Sequence, residues 1–183
     1  MNFLPTGLPG SFIVELTPLI DHRGWFARTY SKEEFNNIGF QGDWVQINHS
    51  FTKEKGTIRG MHFQVFPYAE IKLIRCIAGH VYDVIIDLRQ NSATFLKWTA
   101  VELTEDNKKM VYIPQGFAHG FQTLTDNCQL IYHHSQIYQH DYERGIRFND
   151  PFIGIKWQLE ASNLSPRDGN HPLLDSNFAG INF

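Results

Sequence analysis

The sequence predicts an all-β fold, an antiparallel sandwich or closed barrel, and three observations support it. Short runs rich in β-branched and aromatic residues recur at even spacing: SFIVEL, KLIRCI, HVYDVIIDL, FLKWTAVEL, MVYI, FQTL and QLIYHHSQIY. Turn-forming groups divide them, among them Ala78-Gly79, Gln90-Asn91-Ser92, Glu105-Asp106-Asn107 and Thr125-Asp126-Asn127. The 183 residues, 42% apolar and 14% aromatic, suffice for one substantial core without staples.

Taken in order, SFIVEL opens the strands and SKEEFNNIGF carries the main helical signal, where Ser31 and Glu34 have the spacing of a capping box. In KLIRCI, Lys72 alternates with Ile74 and Cys76, so these three share one face and Ile71, Leu73 and Arg75 the other. Lys72 then either points inward beside an anion or snorkels at an edge. In QLIYHHSQIY, Tyr132 shares a face with Leu130 and His134, which brings its hydroxyl toward the interior. A second short helix is expected after Ser165, which has Asp168 three residues on. The tail beyond Leu164 is expected to pack over the barrel through Leu173, Leu174 and Phe178. No repeat or linker interrupts the chain, so residues 1–183 read as a single domain with a few short peripheral helices.

A net charge of -3 gives no sign of a nucleic-acid groove or an anionic-membrane surface, although local basic residues could grip a small anion. Two distant cysteines, no charged and apolar leader and no apolar run near about 18 residues point to a soluble, reduced, cytoplasmic protein.

Two segments look like the halves of a cupin barrel motif. Gly56 and His62 fit the first, with Gln64 where a second histidine would stand; Pro114, Gly116 and His119 fit the second. Glu70 is the candidate carboxylate, but two histidines and one glutamate are a thin donor set for a first-row metal, so no metal site is expected. His62 then needs another reason to face inward. A neutral imidazole takes a proton near pH 7, and a carboxylate on its far nitrogen, from Asp168 or Asp83, would fix its tautomer. An isolated inward histidine is more often a hydrogen-bonded core residue; Arg59, Lys72, His119 and Tyr132 on the same barrel shift that balance. Strict alternation would put Arg59 and His62 on opposite faces, and a bend or bulge at Gly60 would bring both inward.

The segments GTIRGMHFQ, IKLIRC, VYDVIIDLRQNSATFLKW, YIPQGFAHGFQTL, ERGIRFNDPFIGIKW and LSPRDGNHPLLD together resemble the dTDP-4-dehydrorhamnose 3,5-epimerase family, from about Pro9 to Asp175. The resemblance implies a cofactor-independent cupin barrel, usually a homodimer whose N-terminal segments help form the partner's site, acting on a dTDP-linked 4-keto-6-deoxyhexose. It implies His62 as base, Asp168 as its orienter, Lys72 against the 4-oxygen and Tyr132 as the acid on the opposite face. Arg59 and His119 would hold the substrate near the pyrophosphate and sugar, with Arg23, Gln46, Asn48 and Glu143 as further contacts and Tyr138 stacking on the base. Arg28 stands where many members carry a glutamate near the nucleotide, His133 replaces a common lysine, and Gln139-His140-Asp141 departs from the usual loop. The competing expectations are an epimerase of a single centre on another nucleotide sugar, a metal-dependent cupin enzyme, and a sugar-binding cupin without catalysis.

Overall fold

The structure, a computed structural model, describes residues 1–182. Its strands are β1 (Asn2–Pro5), β2 (Phe12–Glu15), β3 (Leu19–Asp21), β4 (Gly24–Phe26), β5 (Gln46–Thr52), β6 (Ile58–Gln64), β7 (Lys72–Ala78), β8 (His80–Asp87), β9 (Trp98–Thr104), β10 (Met110–Ile113), β11 (Phe117–Thr123), β12 (Cys128–His134) and β13 (Glu143–Gly145). Two short α-helices, α1 (Lys32–Asn36) and α2 (Pro166–Gly169), and a 3-10 turn at His140–Tyr142 complete the elements among the described residues. The strands form a six-stranded sheet in the order β1-β2-β10-β7-β12-β5, a five-stranded sheet β13-β6-β11-β8-β9, and a separate β3–β4 hairpin. Every pairing within these sheets is antiparallel, the jelly-roll arrangement of a cupin.

All seven runs singled out in the sequence contain strands. Alternation sorts their faces as expected: Ile74, Cys76 and Leu130 from one sheet meet Ile85, Phe117 and Phe121 from the other in the central core. The outer faces are covered too. Leu73 and Met110 lie under Phe35 and Phe40, while Met61, Val84 and Ile86 lie under the tail through Ile153, Trp157, Leu174 and Phe178. This double covering is why these strands read as nearly continuous apolar runs rather than clean alternation. Leu173 departs from expectation: it is 46% exposed, and its neighbour Leu174 does the packing.

Strands β1, β3, β4, β5 and β13 carry little of that signal. β5, QINHSFT, forms the sheet edge beyond β12, so polar residues suffice along most of its length. At α1 the capping box is not made: Ser31 makes no side-chain cap bond, and Glu34 instead accepts from the Met1 ammonium at 2.6 Å. At α2 the cap is made, with Ser165 Oγ accepting from the Asp168 N–H at 3.0 Å. Among the described residues no helix is long and apolar enough to cross a membrane.

The expected irregularity at Gly60 is present. His62 pairs with His119 and Arg59 with Phe121, so three steps along β6 match two along β11. Gly60 has φ +127°, and a Cβ there would stand 2.6 Å from Gly120 Cα. Only the two facing glycines allow this approach, and the extra residue puts Arg59 and His62 on one face.

Candidate active site

The inner faces of the two sheets diverge around a cavity of about 360 Å³. The five-stranded sheet contributes Arg59 and His62 from β6 and His119 from β11, and the six-stranded sheet contributes Lys72 from β7 and Tyr132 from β12. Gln46 and Asn48 of β5 line it, as do Tyr138 and Glu143 around the turn into β13. Asp168 lies behind His62 on α2 and is 3% exposed.

His62 Nε2 stands 2.7 Å from Asp168 Oδ1, while Asp168 Oδ2 accepts the Gly60 N–H at 3.2 Å. Burial alone would raise the Asp168 carboxyl, but the hydrogen bond and charge of His62, the Gly60 N–H and Arg167 together hold it below its ordinary value. An ionised carboxylate only accepts, so His62 carries its proton on Nε2 and leaves Nδ1 as the basic nitrogen. Asp83, the other candidate orienter, belongs to His119 instead: the His119 Nε2 to Asp83 Oδ2 distance is 2.9 Å. Asp83 is pushed upward by complete burial against the opposing pull of His119.

Lys72 is 7% exposed, which settles its orientation inward. Its ammonium lies 3.1 Å from Glu70 Oε1, and Glu70 Oε2 meets His134 Nδ1 at 2.7 Å. Burial opposes the Glu70 anion, yet Lys72 and His134 draw its carboxyl down to about 2. Tyr132 hydrogen-bonds Ser50 Oγ through its hydroxyl at 2.9 Å and stacks on His134, with 17° between ring planes. Burial drives its phenol well above the ordinary range, with Ser50 opposing, so it stays protonated at neutral pH. Ser50, Glu70 as counter-ion and His134 are therefore site residues that sequence reasoning missed. The shared face of Tyr132 and His134 was the available signal for one of them.

At the mouth, the Tyr138 hydroxyl donates to Glu143 Oε2 at 2.8 Å, and Arg167 Nη1 donates to the same oxygen at 2.6 Å. Tyr138, 47% exposed, presents a ring face for stacking. Gln46 Oε1 accepts the Tyr138 N–H at 3.0 Å and Gln46 donates to Asn48, so β5 braces this rim. Arg59 is anchored by Thr52 Oγ1 and the Phe51 carbonyl. Arg167 joins the site without having been anticipated.

Two expected contacts are not brought in. Arg23 sits on the β3–β4 hairpin, with a side chain 78% exposed and paired to Asp21, and Arg28 pairs with Glu34 away from the cavity. Both belong to an N-terminal arm that has no inward face on its own barrel.

The cupin ligand positions do not form a metal donor set. His62 and His119 each direct Nε2 to an aspartate, Glu70 is paired to Lys72, and Gln64 bonds the Tyr68 and Ile137 carbonyls and the Gln139 N–H. Ligand atoms of His62, Asp168 and His171 fall within 4.8 Å of one another, but the Arg167 guanidinium stands 3.2 Å from His62 Nε2, a cation where a metal would need to bind.

A base on one sheet with its orienting carboxylate behind it on α2, a neutral phenol on the other sheet and an ammonium lining the same cavity suit proton abstraction next to a carbonyl. The family model described as dTDP-4-dehydrorhamnose 3,5-epimerase matches residues 5–176. The dTDP-4-dehydrorhamnose 3,5-epimerase of Shigella flexneri is 40% identical over 171 residues, covering 93% of this chain and 94% of that protein. The crystal structure of the Bacillus anthracis str. Ames enzyme of that name, with TDP and PPi bound, superposes with a TM-score of 0.91 at 38% identity, covering 94% of this chain and 99% of that one. The dTDP-6-deoxy-D-glucose-3,5-epimerase from Legionella pneumophila Philadelphia 1, in complex with dTDP-4-keto-L-rhamnose, gives 0.91 at 33% identity over 100% of this chain and 98% of that one.

Proposed function

Because the chain belongs to the dTDP-4-dehydrorhamnose 3,5-epimerase family, we propose that it converts dTDP-4-dehydro-6-deoxyglucose to dTDP-4-dehydro-L-rhamnose, with His62 as base and Tyr132 as acid. It is an isomerase, an epimerase of dTDP-sugar metabolism. Carbons 3 and 5 flank the 4-ketone, so a proton leaves either carbon only if the enolate oxygen is stabilised. His62 Nδ1 takes that proton, and Asp168 stabilises the resulting imidazolium. The Lys72 ammonium, held by Glu70, faces the 4-oxygen as charge develops there. Tyr132 then returns a proton from the other side and inverts the centre.

The observation that supports these roles is the placement of His62 and Tyr132 on opposite sheets of one cavity that Lys72 also lines, its ammonium 3.4 Å from the His62 carbonyl. Proton removal and return from opposite faces is what inversion requires. Arg59 and His119 hold the pyrophosphate and sugar, Tyr138 stacks on the base, and Gln46, Asn48 and Glu143 fix the rim. The reaction needs no cofactor, and the whole chain serves as one catalytic domain in the cytoplasm.

The protein is a homodimer in this reading. Ile20 is 81% and Phe26 72% exposed on the hairpin, and Ile47 is 61% exposed on the edge strand β5, an apolar surface that a second copy would cover. The same association would carry Arg23 and Arg28 into the partner's cavity.

The test is incubation of chelator-treated protein with dTDP-4-keto-6-deoxyglucose in deuterated water, followed by NMR. Deuterium at both C3 and C5 supports the assignment; exchange at one carbon narrows it to a single-centre epimerase, and exchange at neither overturns it.

A further inference from the structure

His171, in the HPLL segment after α2, is the imidazole beside the dyad that the reaction above leaves unused. Its ring meets that of His62 edge to face, with centroids 5.4 Å apart and planes at 78°. Its Nε2 lies 3.6 Å from Asp168 Oδ1, the oxygen that receives the His62 proton, and that nitrogen is buried without a hydrogen-bond partner. The residue is held through both its backbone and its ring. Arg147 Nε donates to the His171 carbonyl at 2.8 Å, and the ring presses on Gly145, where any Cβ would overlap its atoms. Gly145 pairs directly with His62 across β13 and β6, so the same backbone fixes both imidazoles.

We propose that His171 is a positioning residue of the base: its ring locks the His62 imidazole, and its Nε2–H, offered to Asp168 Oδ1, limits how tightly that carboxylate holds the His62 proton. This rests on the assignment of His62 and Asp168 as base and orienter. A buried N–H with no other acceptor gains from even a slight approach to a carboxylate oxygen. Each donor to Asp168 lowers its basicity and weakens its hold on the His62 proton. The groups facing His171 are His62 on β6, Glu143 on β13, Arg167 and Asp168 on α2, and Arg147 after β13. Burial, then the charge that His62 carries once protonated and the Arg167 guanidinium, keep His171 below the ordinary imidazole range against the pull of Asp168 and Glu143. A neutral His171 leaves the Asp168 charge to His62.

The experiment compares the full-length protein with His171→Phe and His171→Gln. Phe keeps a ring without the N–H, and Gln restores an N–H without the ring. Nitrogen-15 NMR titration of His62 without substrate is expected to move the midpoint up by about half a pH unit in His171→Phe, with His171→Gln returning toward wild type. In the Phe variant kcat at neutral pH should fall roughly threefold to tenfold, with KM unchanged because His171 does not line the cavity. If Phe does not fold, His171→Leu replaces it in the same comparison. An unshifted His62 midpoint, or a Gln variant no closer to wild type than the apolar one, overturns the proposal. The titration reads His62 directly, so failure of the epimerase reading would appear separately, as a wild-type protein without solvent exchange.

Discussion

His62 Nε2 and Asp168 Oδ1 lie 2.7 Å apart although 106 positions separate them in the chain. The contact sets the tautomer of the base. Asp168→Asn removes the charge that stabilises the imidazolium and can present an amide N–H to Nε2, which would move the His62 proton to Nδ1. We expect kcat to fall by roughly 10²–10⁴-fold, with circular dichroism unchanged. His62→Asn should abolish exchange at both carbons, as read by NMR in deuterated water.

Tyr132→Phe separates proton return from proton removal. The substrate should still exchange with solvent at a measurable rate while the inverted product falls by about 10²-fold or more. Equal loss of exchange and inversion would contradict the role of Tyr132. Ser50→Ala removes the 2.9 Å partner of its hydroxyl and should give a smaller loss in the same assay.

Glu70 couples stability to pH. Its carboxyl is drawn from 4.5 to about 2 in the folded protein, by Lys72 and His134 against burial. A lowered folded value means that its contribution is complete above pH 4.5 and lost as pH falls toward 2. Urea midpoints measured across that interval should decline in the wild type and decline less steeply in Glu70→Gln. Lys72→Met leaves Glu70 buried without its cation, so it should lower stability by about 3 kcal/mol or more as well as abolishing turnover.

Gly60→Ala tests the irregularity that turns Arg59 and His62 to one face. The new Cβ would meet Gly120 Cα at 2.6 Å and the His119 carbonyl at 2.8 Å, in a backbone conformation unfavourable for alanine. A loss of about 3 kcal/mol or more is expected from thermal and urea unfolding. A variant of wild-type stability would show that this close approach is dispensable.

The N-terminal arm tests the dimer. Ile20→Glu with Phe26→Glu should halve the mass measured by light scattering and weaken substrate binding. Arg23→Ala should leave the mass unchanged and raise KM about tenfold. A wild-type protein that is monomeric at micromolar concentration would remove the basis for both.

How much of the site could be read from the sequence depended on the range of the interactions involved. Strand faces depend on alternation between near neighbours, so Lys72 with Ile74 and Cys76, and Tyr132 with His134, were legible before folding. The helix over Lys32–Asn36 was legible from the Ser31–Glu34 spacing, but the cap itself does not form, because Glu34 is drawn away by the Met1 ammonium. The edge strand β5 escaped notice because an exposed edge places few apolar demands on its residues.

The sequence by itself determined an all-β barrel, the strands that carry its chemistry, the family motifs and His62 as the residue of interest. Residue patterning left Asp168 and Asp83 both open and the family resemblance implied Asp168; only the tertiary structure brought Asp168 within reach of His62, gave Asp83 to His119, and turned Glu70 from a candidate metal ligand into the counter-ion of Lys72. It also left Arg23 and Arg28 outside the cavity of their own barrel. The physical reason is that a buried charge must find its partner in space, and which partner stands within hydrogen-bond reach is decided by sheet pairing and loop closure across the whole chain.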